Sequence, residues 1–185
     1  MAEAIIKDVH QSKDLIAERK FKTIYFGGGT PSLASTESIK HILDSIKDKF
    51  LFNETEITLE MNPNDVSRDR IDELLMAGIN RISLGIQSYS NQELQALGRN
   101  HDRQSAIKAT QALVGINSTI DLIYGIEKQT PKSFTANLER IIQSNINHLS
   151  LYQLTIEPNT IFYKKSLSFL MKKKSKKLNS LQKTF

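Results

Sequence analysis

Hydrophobic residues recur along this chain in two alternating rhythms. Short runs rich in β-branched and aromatic residues stand at 23–26, 57–59, 82–84, 120–124 and 149–154, about thirty residues apart, and runs of that length and type predict strands. Between them the apolar spacing is helical. Ile39, Ile42, Leu43 and Ile46 fall at i, i+3, i+4, i+7, and Phe134, Leu138, Ile141 and Ile142 at i, i+4, i+7, i+8. Ile71, Leu74 and Leu75 repeat the stripe, with Gly78 placed to cap that helix's C-terminus. A first helix is predicted from 2 to about 18, with no strand before it.

Strands alternating with helices predict an α/β fold with a parallel sheet and right-handed crossovers. Polar motifs just after the strands suit a barrel or doubly wound site, where ligands meet the loops at the strand C-terminal ends. A barrel-like sheet that opens with a helix is expected to lack its first strand. The length of 185 residues gives room for one domain with a sizeable core; residues 1–163 are expected to form it.

Charge separates the remainder from this body. Of the formal +5, eight positive charges lie at Lys164, Lys165, Lys172, Lys173, Lys174, Lys176, Lys177 and Lys183, so residues 1–163 carry −3. The basicity therefore belongs to a tail of Lys, Ser and Leu over 164–185, read as a solvated, disordered end and not as a nucleic-acid or anionic-membrane patch. No apolar run approaches the roughly 20 residues of a membrane helix. The opening Met1-Ala2-Glu3-Ala4-Ile5-Ile6-Lys7 has neither a secretory nor a transit signature, which leads us to expect a cytoplasmic protein. Cysteine is absent, so this chain supplies no disulfide, no thiolate zinc site and no thiolate ligand to an iron–sulfur cluster.

Five polar segments sit where the predicted layout wants ligand contacts. Gly27-Gly28-Gly29 directly follows the first strand, and glycines there let backbone N–H groups approach a carboxylate or phosphate. No Gly-Lys-Ser/Thr follows, so this is not a Walker A loop, and the spacing is not that of a dinucleotide fingerprint; a plain tight turn is the alternative. Glu60 ends the next strand and is suited to accept from ribose hydroxyls or an amino group, or is a surface acid beside the Asn62-Pro63 turn. Gln87 and Ser88 end the third strand, Arg99 follows in a loop or helix, and Asp121 lies within the fourth strand. Each alone reads equally as a packing or solvated residue. Together they set a polar group on each of four successive βα units.

These residues carry a family resemblance. Phe26-Gly27-Gly28-Gly29-Thr30-Pro31-Ser32, Leu59-Glu60-Met61-Asn62-Pro63, Arg81-Ile82-Ser83-Leu84-Gly85-Ile86-Gln87-Ser88, and Ile120-Asp121-Leu122-Ile123-Tyr124-Gly125 with Gln129-Thr130 resemble signatures of radical SAM proteins of the oxygen-independent coproporphyrinogen III oxidase family. Gly85-Ile86-Gln87-Ser88 with Leu97-Gly98-Arg99-Asn100-His101 is similar to its HemW haem-chaperone branch. The resemblance runs from about Ile5 to Tyr163. It implies an incomplete (β/α)6-type partial barrel in which Gly28, Gly29 and Thr30 hold the methionine end of S-adenosylmethionine while Glu60, Gln87, Arg99 and Asp121 line the rest. Thr155, placed on the last strand, would stand near a contact to the adenine region.

The chain also departs from that family. Its members begin with a strand and a Cys-x-x-x-Cys-x-x-Cys loop that holds three irons of a [4Fe–4S] cluster, while the fourth iron chelates the methionyl amine and carboxylate. The stretch from Arg99 to Asp121 is a few residues short and Glu127 replaces a usual proline, so the helix before the fourth strand is expected to be perturbed. A His-Asn-x-x-Tyr-Trp stretch associated with haem is missing, and haem binding is not expected. The expectation is a fragment, with a late start and a frame change near Lys164, that is non-catalytic and retains a weakened S-adenosylmethionine site. The alternatives are one half of a split protein completed by a separately encoded cluster-bearing partner, and a relic without ligand. His10, His41, His101 and His148 are too scattered to suggest a metal site.

Overall fold

The structure, a computed structural model, describes residues 1–12, 14, 20–48 and 54–164. The elements run α1 (Ala2–Gln11), β1 (Thr23–Phe26), α2 (Thr36–Lys47), β2 (Glu56–Met61), α3 (Arg68–Ala77), β3 (Arg81–Gln87), α4 (Asn91–Ala96), α5 (Arg103–Ala112), β4 (Ser118–Tyr124), α6 (Pro131–Ile142) and β5 (His148–Gln153), with 3-10 turns at Pro31–Leu33 and Pro63–Asp65. The strands make one five-stranded parallel sheet in the order β1-β2-β3-β4-β5. Thr23 pairs with Glu56, Glu60 with Ser83 and Ser83 with Thr119, so each strand adds beside its predecessor. Contacts divide the chain into two units, Met1–Tyr152 and Gln153–Phe185.

Local chemistry accounts for the helix ends. Ser35, Ser67 and Asp102 accept the amides of Ser38, Arg70 and Ser105, the N-cap arrangement that satisfies an otherwise orphaned donor. Thr130 and Ser133 form a reciprocal capping box at α6, with Pro131 at its first position. Gly78 ends α3 with φ 110°, as its placement predicts, because the left-handed cap excludes a Cβ there. The helix before β4, expected to be perturbed, is a regular α5 capped by Asp102. The predicted first helix is present as α1 to Gln11; of its remaining stretch, 13 and 15–19 lie outside the described residues.

The sheet's two faces differ in chemistry because side chains alternate along a strand. On one face Ile57, Leu59, Ile82, Leu84, Ile86, Ile120 and Leu122 bury against Ile39 and Leu43 of α2, Ile71 and Leu74 of α3, Ala106 and Ala109 of α5 and Ile141 of α6. The other face carries Tyr25, Thr58, Glu60, Arg81, Ser83, Thr119 and Asp121. Parallel sheets covered by helices on both sides are apolar on both faces. This one is covered on one face and polar on the other, where the barrel interior of the fold lies.

The second unit is described to Lys164. Its Thr160 hydroxyl donates to Glu157 O at 2.7 Å and accepts the Tyr163 amide at 3.2 Å, which fixes a single helical turn. The Lys-rich tail from 165 on lies outside the described residues.

Candidate functional site

Gly29, Thr30, Glu60, Gln87, Arg99 and Asp121 line one cavity of about 200 Å³ at the C-terminal ends of β1 to β4, completed by Asn62, Ser83 and Gly85. Of the predicted residues, Gly28 opens instead on an adjoining apolar cleft of about 720 Å³, which Gly29 and Thr30 also line. Ser88, singled out with Gln87, turns away from this cavity. Thr155 is corrected: β5 ends at Gln153, so Thr155 is past the last strand and belongs to the second unit.

The glycine-rich loop is shaped by its own backbone and by Glu60. Gly28 and Gly29 have φ of 80° and 59°, which side chains rarely adopt. The Gly28 amide donates to Glu60 Oε2 at 3.2 Å, and the Tyr25 hydroxyl donates to Oε1 at 2.9 Å. A Cβ on Gly27 would come within 2.8 Å of the Tyr25 ring and 3.2 Å of Glu60 Oε1, so a glycine there keeps this pairing possible. Beyond the loop, Arg70 from α3 donates to the carbonyls of Ser32 and Ala34 and to the Thr36 hydroxyl, tying the 3-10 turn down.

Arg99 comes from the loop between α4 and α5, and its Nη2 donates to Asn62 Oδ1 at 2.8 Å and Gly85 O at 3.2 Å. Burial lowers its pKa without bringing a carboxylate to it, so a cation faces the cavity with neutral partners. Asp121 is the opposite case. Burial pushes its carboxyl up, the hydroxyls of Ser83, at 2.8 Å, and of Ser150 draw it partly back, and the nearby charge of Glu60 raises it again. Its Oδ1 is buried and accepts no hydrogen bond from the described residues. An unsatisfied buried acceptor costs about 1–3 kcal/mol, a cost that a bound ligand, an ion or a water removes.

Gln87 reaches the cavity through a backbone irregularity. The β3–β4 register shifts between Leu84 and Gln87, and Gln87 sits at φ 66°. Bulges of this kind re-aim a side chain beside a site. The residues that follow hold the bulge in place. Glu93 of α4 is 1% exposed, and its carboxylate accepts from Ser88 Oγ at 2.6 Å, Ser133 Oγ at 2.6 Å, Gln129 Nε2 at 3.1 Å and Asn137 Nδ2 at 3.2 Å. Burial alone would raise its pKa, but the four donors outweigh that and leave it below the usual carboxylate range. Ser88 is thus part of a buried polar knot that fastens the end of β3 to α6.

His101 is packed. Its Nε2 lies 3.0 Å from Ile86 O, and burial lowers its pKa. Among the described residues no group of three His, Cys, Asp or Glu side chains is placed to hold a metal. Among the same residues no helix is long and apolar enough to cross a membrane. Sequence reasoning overlooked Tyr25, Ser83 and Glu93; the alternation of Glu56-Ile57-Thr58-Leu59-Glu60 and Arg81-Ile82-Ser83-Leu84-Gly85 was the signal that would have pointed to the polar face.

Comparison with known proteins agrees with this geometry. The radical SAM superfamily model matches residues 5–141. Similar relatives include the heme chaperone HemW of Haemophilus influenzae, 44% identical over 159 residues that make up 84% of this chain and 42% of that protein. HemW of Escherichia coli is 40% identical, over 85% of this chain and 43% of its own length. Among solved structures, coproporphyrinogen III oxidase (HemN) from Escherichia coli, described as a radical SAM enzyme, superposes with a TM-score of 0.74 at 29% identity, over 84% of this chain and 37% of that one. The chain thus spans about two fifths of the length of these relatives. With the parallel sheet, its polar face and the matched motifs in agreement, the chain belongs to the radical SAM superfamily, in its HemW/HemN-like family.

Proposed function

We propose that these residues form a HemW-like module that binds S-adenosylmethionine weakly and does not by itself cleave it. The observation that carries the binding reading is Asp121 Oδ1, a buried acceptor that no described residue hydrogen-bonds, at a cavity also lined by Glu60, Asn62, Ser83, Gln87 and Arg99. A ribose hydroxyl or an amino group satisfies such an acceptor. In this reading Gly28, Gly29 and Thr30 hold the methionine end, and Arg99 offers the only cation on the cavity wall among the described residues. Glu60, Gln87 and Asp121 line the rest, and Thr155 is assigned to the adenine region on the family resemblance alone.

The superfamily in general uses S-adenosylmethionine and a [4Fe–4S] cluster. The residues present fit the first and not the second, because thiolates hold such clusters and these 185 residues contain no cysteine. Cluster ligands would come from outside them. Without iron chelation of the methionyl group, affinity rests on side chains and backbone amides, and is weak. Haem is not part of the proposal; a cytoplasmic setting is.

A second reading, one half of a split protein, is favoured by the β1 side of the sheet. β1 ends the strand order, and the cleft beside it is lined by Ile5, Phe26, Leu33, Ile39 and Ile42. A strand that is unpaired on one side among the described residues, with an apolar cleft beside it, suits an added strand, here one that brings the cluster loop.

Calorimetric titration with S-adenosylmethionine tests the site. Glu60→Ala and Asp121→Ala are each expected to abolish binding while far-ultraviolet circular dichroism stays unchanged. Unchanged binding in both variants would sink the assignment.

A further inference from the structure

On the helical side of the molecule, away from the cavity described above, Arg103 and Arg140 converge on a second cavity. It has a volume of about 440 Å³ and opens between α4, the start of α5 and α6, with Ser90, Asn91, Gln92 and Ser133 on its walls. No Asp or Glu lines it. Among the described residues neither guanidinium forms an ion pair. Arg140 lies over the Tyr89 ring, 5.6 Å from its centroid, and among the described residues Arg103 is hydrogen-bonded through its backbone amide, which donates to Asn91 Oδ1 at 2.7 Å. The acid nearest in sequence to Asn91, Glu93, is buried, and both its oxygens are taken by Ser88, Ser133, Gln129 and Asn137.

Two cations without an ion-pair partner among the described residues, on a wall that also carries the Ser90 hydroxyl and the Asn91 and Gln92 amides, are an arrangement for an anion. Asn91 spends its Oδ1 on the Arg103 amide, which leaves its amide donors for a ligand. Ser90 makes no cap hydrogen bond with its side chain. Two guanidinium forks match a dianion with several acceptor oxygens better than a carboxylate. Arg140 is also positioned, because its guanidinium lies over the Tyr89 ring.

We infer that the Arg103–Arg140 cavity binds the phosphate group of a small phosphate monoester, independently of S-adenosylmethionine. Isothermal titration of the full 185-residue chain with inorganic phosphate, and separately with acetate at matched ionic strength, tests it. The expected result is saturable binding of phosphate, markedly weaker binding of acetate, and a loss of about tenfold in phosphate affinity in Arg103→Gln and in Arg140→Gln, the scale of one charge-assisted hydrogen bond. Arg103→Lys, which keeps the charge, should lose less. Among the described residues the Arg103 side chain makes no hydrogen bond or ion pair, so its variant reports binding even if Arg140→Gln is unstable. Absent phosphate binding, equal acetate binding, or phosphate binding that survives Arg103→Gln and disappears in Arg99→Gln would each overturn the inference.

Discussion

Asp121 on β4 accepts the Ser83 hydroxyl of β3 at 2.8 Å through Oδ2, and its buried Oδ1 accepts no hydrogen bond from the described residues. The pairing links two neighbouring strands on the polar face, and it leaves a carboxyl whose pKa is raised above its ordinary 3.8, first by burial. Because the folded value exceeds the unfolded one, the native state holds this proton more tightly. The resulting stability is fully present below about pH 3.8 and is lost as pH rises through the folded value. Asp121→Asn carries no charge to desolvate. It is expected to melt higher than wild type at about pH 7 and to lose that advantage at about pH 3, below the ordinary carboxylate value; an equal difference at both would contradict the assignment.

Glu93 titrates in the other direction. Burial is outweighed by the hydroxyls and amides that surround it, so its folded pKa lies below the ordinary 4.5. Its stability is present above that value and is lost as pH falls through the folded one. Glu93→Ala leaves the four donors of Ser88, Ser133, Gln129 and Asn137 without their acceptor and is expected to cost about 3 kcal/mol. Urea unfolding at neutral pH measures this; a cost below about 1 kcal/mol would mean that the knot is not what joins β3 to α6.

Gln87 stores backbone strain. At φ 66° a non-glycine residue is held where few side chains settle. Gln87→Gly is expected to keep or raise stability, whereas Gln87→Val should lose about 1–3 kcal/mol, since a β-branched residue is a poor fit to that region. Both variants should weaken S-adenosylmethionine binding. A stable, full-affinity Gln87→Gly protein would show that the side chain has no part in the site.

Much of this architecture was legible before the structure. The 23–26 run is β1 as predicted, the core of β3 at 82–84 extends by one residue before and three after, and Gly78 caps α3. These follow from local propensity and apolar spacing. The details of the site were not legible, because they depend on partners far apart in sequence. Tyr25 and Glu60 are 35 residues apart, Ser83 and Asp121 are 38, and Ser133 and Glu93 are 40. The shift at Gln87 belongs to the pairing of β3 with β4 and leaves no mark on either strand alone. Glu93 carried no signal in the sequence, and only the packing of α4 against α6 reveals it as a buried acceptor.

A thermal melt of the purified chain, followed by circular dichroism with and without excess S-adenosylmethionine, tests the central proposal most directly. Only a ligand that prefers the native state raises the transition. The account predicts one cooperative transition that moves up with ligand in the wild type and stays in place in Asp121→Ala. A broad transition that ignores the ligand would contradict it and leave a relic of the family without a binding site.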